Sequence, residues 1–229
     1  MMRTLIAAPL LCFTAAAFAA PVTFLTAEYS TSAFAAAGNA FDGVNESLSE
    51  SFSGSFSPPL PVISEANAVG IAGSASAFAF AEAGRLQVTT SADGFGEQAD
   101  AAASARFFGT LADMGGGTVN LFIDFDHQTD VLEDALASLS LSITVTSGAG
   151  TLFSAIYDVT RDLQFDFLLP AGSSSFDLTL IGDGTAVSGQ AFSLGSVEFE
   201  LRTVPEPGAL ALTALALAGL LTMRRRKAA

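Results

Sequence analysis

The sequence predicts an all-β protein: an antiparallel β-sandwich or jelly-roll-like ectodomain, flanked by an N-terminal signal peptide and a C-terminal transmembrane helix. Three observations carry this. Leu139, Leu141, Ile143 and Val145 alternate with serines and threonines from Ser138 to Thr146, the period of a half-buried strand with a hydroxyl-covered outer face. Turn residues recur roughly every 8–15 positions through the interior of the chain. No interior stretch has the apolar period of an amphipathic helix.

The first 19 residues read as a secretory signal. Arg3 supplies the basic start, Leu5 to Phe18 the apolar stretch, and Ala17-Phe18-Ala19 the small-x-small site, with cleavage by signal peptidase expected after Ala19. Cutting one residue later would put Phe18 at the third position before the bond and Pro21 just after it. The single cysteine, Cys12, lies inside the apolar stretch and leaves with it, so disulfides cannot stabilise the mature chain.

Residues 20–64 are rich in Ala, Ser, Gly and Phe and include Ser57-Pro58-Pro59-Leu60-Pro61. Their aromatic content exceeds what a disordered linker needs. They are expected to supply one or two edge strands or a wrap, with the proline cluster as a loop. Residues 65–203 form the expected core of the ectodomain. Between Ser74 and Asp113 the alanines favour helix by propensity, but small residues recur at every second position, which predicts two strands around a loop at Asp93-Gly94-Phe95-Gly96. Further strands are expected at Val119–Phe125, Leu139–Val145, Thr151–Val159, Phe165–Leu169, Phe176–Leu180 and Val197–Arg202. Pro170-Ala171-Gly172 and Gly182-Asp183-Gly184 read as the stops after two of them. The chain has 20 phenylalanines, two tyrosines and no tryptophan. The phenylalanines read as core, and a sugar site built on stacked Trp or Tyr is weakly supported.

Charge narrows the possible functions. The chain has 23 acids against nine bases, a net charge of −14. Five bases sit at the extreme ends, which leaves Arg85, Arg106, Arg161 and Arg202 for the whole middle. Such a field repels phosphate backbones, so nucleic acid is not an expected partner. A single histidine, His127, and no mature cysteine leave no recognisable zinc site. There is no nucleophile elbow and no phosphate-binding glycine loop ahead of a helix, and no carboxylate pair stands out for hydrolysis. No catalytic residue and no enzymatic activity are expected.

The densest polar cluster runs from Asp124 through Asp126, His127, Gln128 and Asp130 to Glu133 and Asp134. Asp124 and Asp126 fall on one face of a strand, and oxygen-rich clusters suit Ca²⁺. Gln128 and Thr129 break the EF-hand spacing, so the plain reading is a charged strand end and a solvated hairpin loop. Calcium is the one cofactor the sequence leaves open.

The C-terminal end reads Val204-Pro205-Glu206-Pro207-Gly208, then an uncharged run to Met223, then Arg224-Arg225-Arg226-Lys227. A helix over 208–223 spans roughly 22–24 Å, short of the ~30 Å hydrocarbon core. Snorkelling of the basic tail 224–227 and local thinning make up the gap. The positive-inside rule keeps that tail cytoplasmic and the acidic middle outside. In this three-part order, residues 204–227 resemble the PEP-CTERM sorting signal of Gram-negative bacteria. The resemblance implies a substrate of exosortase, a membrane-embedded cysteine protease–transpeptidase. It also implies transient anchoring in the inner membrane, processing near Pro205-Glu206-Pro207, and delivery to the outer surface or extracellular matrix, where exopolysaccharide is an expected partner. The two prolines keep the recognition segment extended and out of either flanking element.

Overall fold

The structure, a computed structural model, describes residues 22, 24–38, 44–53, 60–111 and 117–204. Nine strands account for nearly all of these residues: β1 (Phe24–Ala37), β2 (Val44–Ser53), β3 (Val62–Val69), β4 (Gly73–Glu82), β5 (Arg85–Leu111), β6 (Thr118–Ser147), β7 (Gly150–Tyr157), β8 (Arg161–Leu168) and β9 (Ser174–Val204). All pairings are antiparallel and belong to one sheet. No helix among the described residues is long and apolar enough to cross a membrane. The signal peptide with Ala17 and Ala19, the expected span 208–223, and Pro205, Glu206, Pro207, Arg224, Arg225 and Arg226 all lie outside the described residues.

The register explains how one sheet makes a core. β9 pairs with β5 on one side and with β6 on the other along nearly its full length. All three strands bend at the same level, where the ladder slips between Phe95 and Ala99 and between Asp134 and Ala135. Such slips add local twist and turn a strand. The bend divides the sheet into two facing layers. One runs β3, β4, β5 (85–95), β9 (188–204), β6 (118–134), β8. The other runs β2, β1, β5 (99–111), β9 (174–186), β6 (135–147), β7. The result is sandwich-like.

The layers meet through their inward-facing residues, and these change in size across the fold. Toward β6, β7 and β8 the interior holds Phe107, Phe125, Phe176, Leu141, Ile143 and Leu178, all fully buried. Phe153 meets Phe165 across the layers at 4.8 Å and Phe107 meets Phe199 at 4.9 Å. Toward β1, β3 and β4 the same positions are alanines, among them Ala33, Ala35, Ala66, Ala77 and Ala79. There Cα atoms of β1 come within 8 Å of those of β3 and β4, closer than the ~10 Å usual for stacked sheets. Thr31 of β1 and Ser64 of β3, both buried, share a hydrogen bond of 2.8 Å across this gap.

The strand reading of the Ala/Ser-rich stretch holds, but several sequence expectations need correction. Asp93–Gly96 is a bend inside β5 and not a loop between two strands. Asp124–Asp134 lies within β6 and is not a hairpin loop. Gly182-Asp183-Gly184 does not end a strand, because β9 runs through it. The glycines there answer a packing demand: a Cβ on Gly182 would lie 2.7 Å from Ser193 Oγ, and one on Gly184 would lie 3.4 Å from the Ala191 Cβ. They let the two arms of β9 close on each other near the bend. Within 20–64 the described residues give the edge strand β2, as expected, but also β1, which sits between β2 and β5, and β3, an edge strand that straddles the expected boundary at 64/65.

The phenylalanines also divide differently. Phe78, Phe80, Phe108 and Phe122 face outward, half-buried, while alternate alanines or larger aliphatic residues fill the interior. Three of the four mid-chain arginines cover them. Arg85 lies 5.8 Å from the Phe80 ring, Arg106 5.5 Å from Phe108 and Arg202 5.3 Å from Phe122. A guanidinium over a ring face gains from the ring quadrupole and shields the ring from water.

Gly182→Val should therefore destabilise the fold by about 1–3 kcal/mol through overpacking. Gly148→Ala, in open space, should change stability by less than about 0.5 kcal/mol. Urea unfolding of the two variants checks this.

Candidate functional site

The outward face of the β8–β6–β9 region gathers side chains that lie far apart in sequence. Within one cross-strand row, Asp162 of β8 is opposite Asp124 of β6, Asp124 is opposite Glu198 of β9, and Glu198 is opposite Arg85 of β5. The next row brings Gln164, Phe122 and Glu200 together. A cleft of about 690 Å³ opens over these two rows. A second, of about 330 Å³, continues along the same strands and is lined by Arg85, Gln87, Asp126, Gln128, Thr160 and Ser196. Ile123, Leu163 and Phe199 also line the first cleft and His127 and Leu194 the second, so together they form a trough that mixes carboxylate, amide and hydroxyl groups with apolar side chains, Phe122 among them.

The electrostatics of the trough follow from this crowding. Desolvation and the like charges of Asp126, Asp162 and Glu198 push the Asp124 carboxyl above its ordinary value, and a hydrogen bond with Asp162 adds to the shift. At the other end Arg202 donates to Glu200 at 2.6 Å and holds that carboxyl below its usual range. Beyond them Asn120 Nδ2 donates to Asp166 at 2.5 Å.

The site residues read from the sequence are only partly brought together. Asp124 and Asp126 share the outer face, as the alternation requires. Asp130, Glu133 and Asp134 do not join them, because an extended strand carries alternate residues away at roughly 6.5–7 Å per pair. A calcium loop must curl its ligands around the ion, and this stretch is straight until the bend. Among the described residues no group of three or more His, Cys, Asp or Glu is placed to hold a metal ion. His127 falls on the opposite face from the two aspartates, and its ring meets Phe125 edge-on at 6.0 Å. Its backbone N–H donates to Thr160 Oγ1 at 2.9 Å, and that hydroxyl donates back to the His127 carbonyl at 3.1 Å. Tyr29 is buried against Phe107 and its hydroxyl is pushed up to about 12 by desolvation, so it offers no surface platform.

Sequence reasoning missed Asp162, Glu198 and Phe122 as neighbours of Asp124. Nothing in the order of residues pairs β8 with β6. Phe122 does carry a signal, since it has the parity of Asn120, Asp124 and Asp126 and not of Leu121 and Ile123. Comparison with protein-family models and with curated proteins finds no match.

A carboxyl raised on folding favours the folded state when protonated, and that contribution is lost as pH rises through the folded value. Asp124→Asn should therefore raise Tm at about pH 7 by one or two degrees, in keeping with its exposure. The gain should vanish near pH 3, where the wild-type carboxyl is neutral in both states. Thermal melts at the two pH values test this.

Proposed function

We propose that this chain is an exported, non-enzymatic protein of the outer surface or extracellular matrix of a Gram-negative bacterium. Signal peptidase removes residues 1–19, the chain is anchored transiently in the inner membrane, and exosortase processes it at Pro205-Glu206-Pro207. The observation that carries the sorting is the ordered tail: Pro-Glu-Pro, then an uncharged run, then Arg224, Arg225, Arg226 and Lys227. The fold is compatible with a cut there, because Val204 is the last residue of β9 and pairs with Thr118. Processing just beyond it leaves all nine described strands intact.

For the ectodomain, read here as a jelly-roll-like sandwich, the proposed partner is exopolysaccharide held in the outer trough. Carboxylates and the Gln164 amide offer acceptors and donors to sugar hydroxyls. The surplus of acid selects against anionic glycans and favours neutral or amino-sugar-containing chains. Nucleic acid is disfavoured on the same ground.

Glu206→Ala should leave export across the inner membrane intact and block release from it, as followed by cell fractionation; normal release would remove the role given to the motif. In affinity electrophoresis through the host's exopolysaccharide the mature domain should be retarded, and Gln164→Ala should reduce the retardation several-fold, the scale of one lost hydrogen bond. Equal mobility with and without polysaccharide would contradict the partner. A lectin-like reading is favoured if a glycan array yields one saturable sugar. The Asp124–Asp162 contact makes that pair the one to change, as Asp162→Asn, should a polysaccharide panel reveal hydrolysis.

A further inference from the structure

The β6 edge is covered unevenly. β9 pairs with β6 along its whole length on one side. On the other side β8 covers only Thr118–Phe125 and β7 only Leu141–Ser147. Between them, residues 128–140 have no strand partner on that edge among the described residues. The Thr160 hydroxyl, bonded to both the N–H and the carbonyl of His127, stands where the next strand would begin.

Those two bonds also fix the direction of the backbone groups beyond. In an antiparallel ladder, alternate residues turn both their N–H and C=O to the same edge. With His127 turned outward, Thr129 and Val131 are turned outward too, and their ladder partners Ser193 and Ala191 stand in non-hydrogen-bonded pairs. The same stretch exposes large apolar side chains: Val131 is 52 %, Leu132 59 % and Leu136 76 % exposed. Val131 has the parity of the interior residues Phe125 and Ile123, yet among the described residues no strand covers the flank beside it.

From this juxtaposition we infer that residues 128–132 of β6, the straight stretch before the crease, form a strand-addition site for an extended peptide in which apolar residues alternate with Lys or Arg. The backbone groups of Thr129 and Val131 supply the ladder, the apolar side chains supply contact area, and charge selects the partner. Asp130, Glu133 and Asp134 line this edge, and all three are exposed. A second copy of the chain would bring the same acids against one another, which is destabilising across strands. Glu133, at φ 56°, and the slip at Asp134 add a kink that ends the straight part of this edge. A cationic strand meets none of this repulsion. The inference is independent of the sorting signal, and its ladder residues, Thr129 and Val131, lie outside the lining of both clefts.

The test uses the full chain in mild detergent and a synthetic peptide of about nine residues alternating Val and Lys, a length suited to one strand. Hydrogen–deuterium exchange should show new protection of the Thr129 and Val131 amides on adding this peptide, and none with the matching Val/Glu peptide. Val131→Pro removes one outward donor without touching the β9 ladder and should weaken binding about tenfold, the scale of one lost backbone hydrogen bond with its neighbours. Asp130→Lys with Asp134→Lys, two exposed changes, should weaken it by a similar factor and keeps the test decisive if the proline variant does not fold. Protection confined to other strands, equal binding in the charge-reversal variant, or protection of this edge by self-association before peptide is added would each overturn the inference.

Discussion

The crease shared by β5, β6 and β9 is the constraint on which the rest of the structure depends. Three strands of this length, paired side by side through β9, cannot each choose their own turning point. They bend together or the ladder breaks. Once they bend, the two arms of each strand face one another, and the space between them must be filled at every level. Near the crease that space is narrow, and Gly182, Gly184 and Ala191 occupy it. Away from the crease on the β6 side it is wide and holds Phe, Leu and Ile, while on the β1 side alanine on alanine closes it. Gly189 marks the crease itself: its φ is 96°, and a Cβ there would overlap the Leu132 carbonyl. A cysteine-free domain of this size can be stable on such burial alone.

What could be read in the sequence follows from the same constraint. The alternation from Ser138 to Thr146 was legible because one arm of one strand keeps a single phase. So was the strand character of the alanine-rich stretch. The crease was not legible, because a bend that shifts the phase looks like a turn. In β5 the inward residues are even-numbered up to Gly94 and odd-numbered from Ala99, and a break of that kind next to Asp-Gly-Phe-Gly reads as a loop. Gly182-Asp183-Gly184 misled for a related reason, since glycine needed for close layer contact is indistinguishable by type from glycine needed for a turn. The outward phenylalanines were legible in principle. Phe78 and Phe80 share parity with Ser74, Ser76 and Glu82, and the interior parity is all alanine. Hydrophobicity alone pointed them the wrong way.

The candidate site was less legible than the fold, and the reason is topological. Asp124 and Asp126 could be placed on one face from the strand period. That Asp162 and Glu198 stand beside Asp124 depends on pairings between distant segments. Acids that are diffuse in the sequence are thereby brought side by side, Asp124, Asp162 and Glu198 on the β8–β6–β9 face and Asp130, Glu133 and Asp134 along β6. The few arginines are not set there as counter-charges alone. Arg85, Arg106 and Arg202 each lie over an outward ring, and Arg106 also forks onto Asp177 at 2.8 and 2.5 Å. The fold spends its scarce cations on covering aromatic surface and leaves its carboxylates facing outward.

The proposed sorting requires the folded part to leave the inner membrane with both ends removed. Intact mass of the chain recovered from the surface or medium of its native host tests this most directly. The account predicts a species that begins at Ala20 and ends between Pro205 and Gly208, immediately past the last paired residue of β9. A species that still carries Arg224 to Lys227 and is found only in the inner membrane would contradict it and make this a permanently anchored protein.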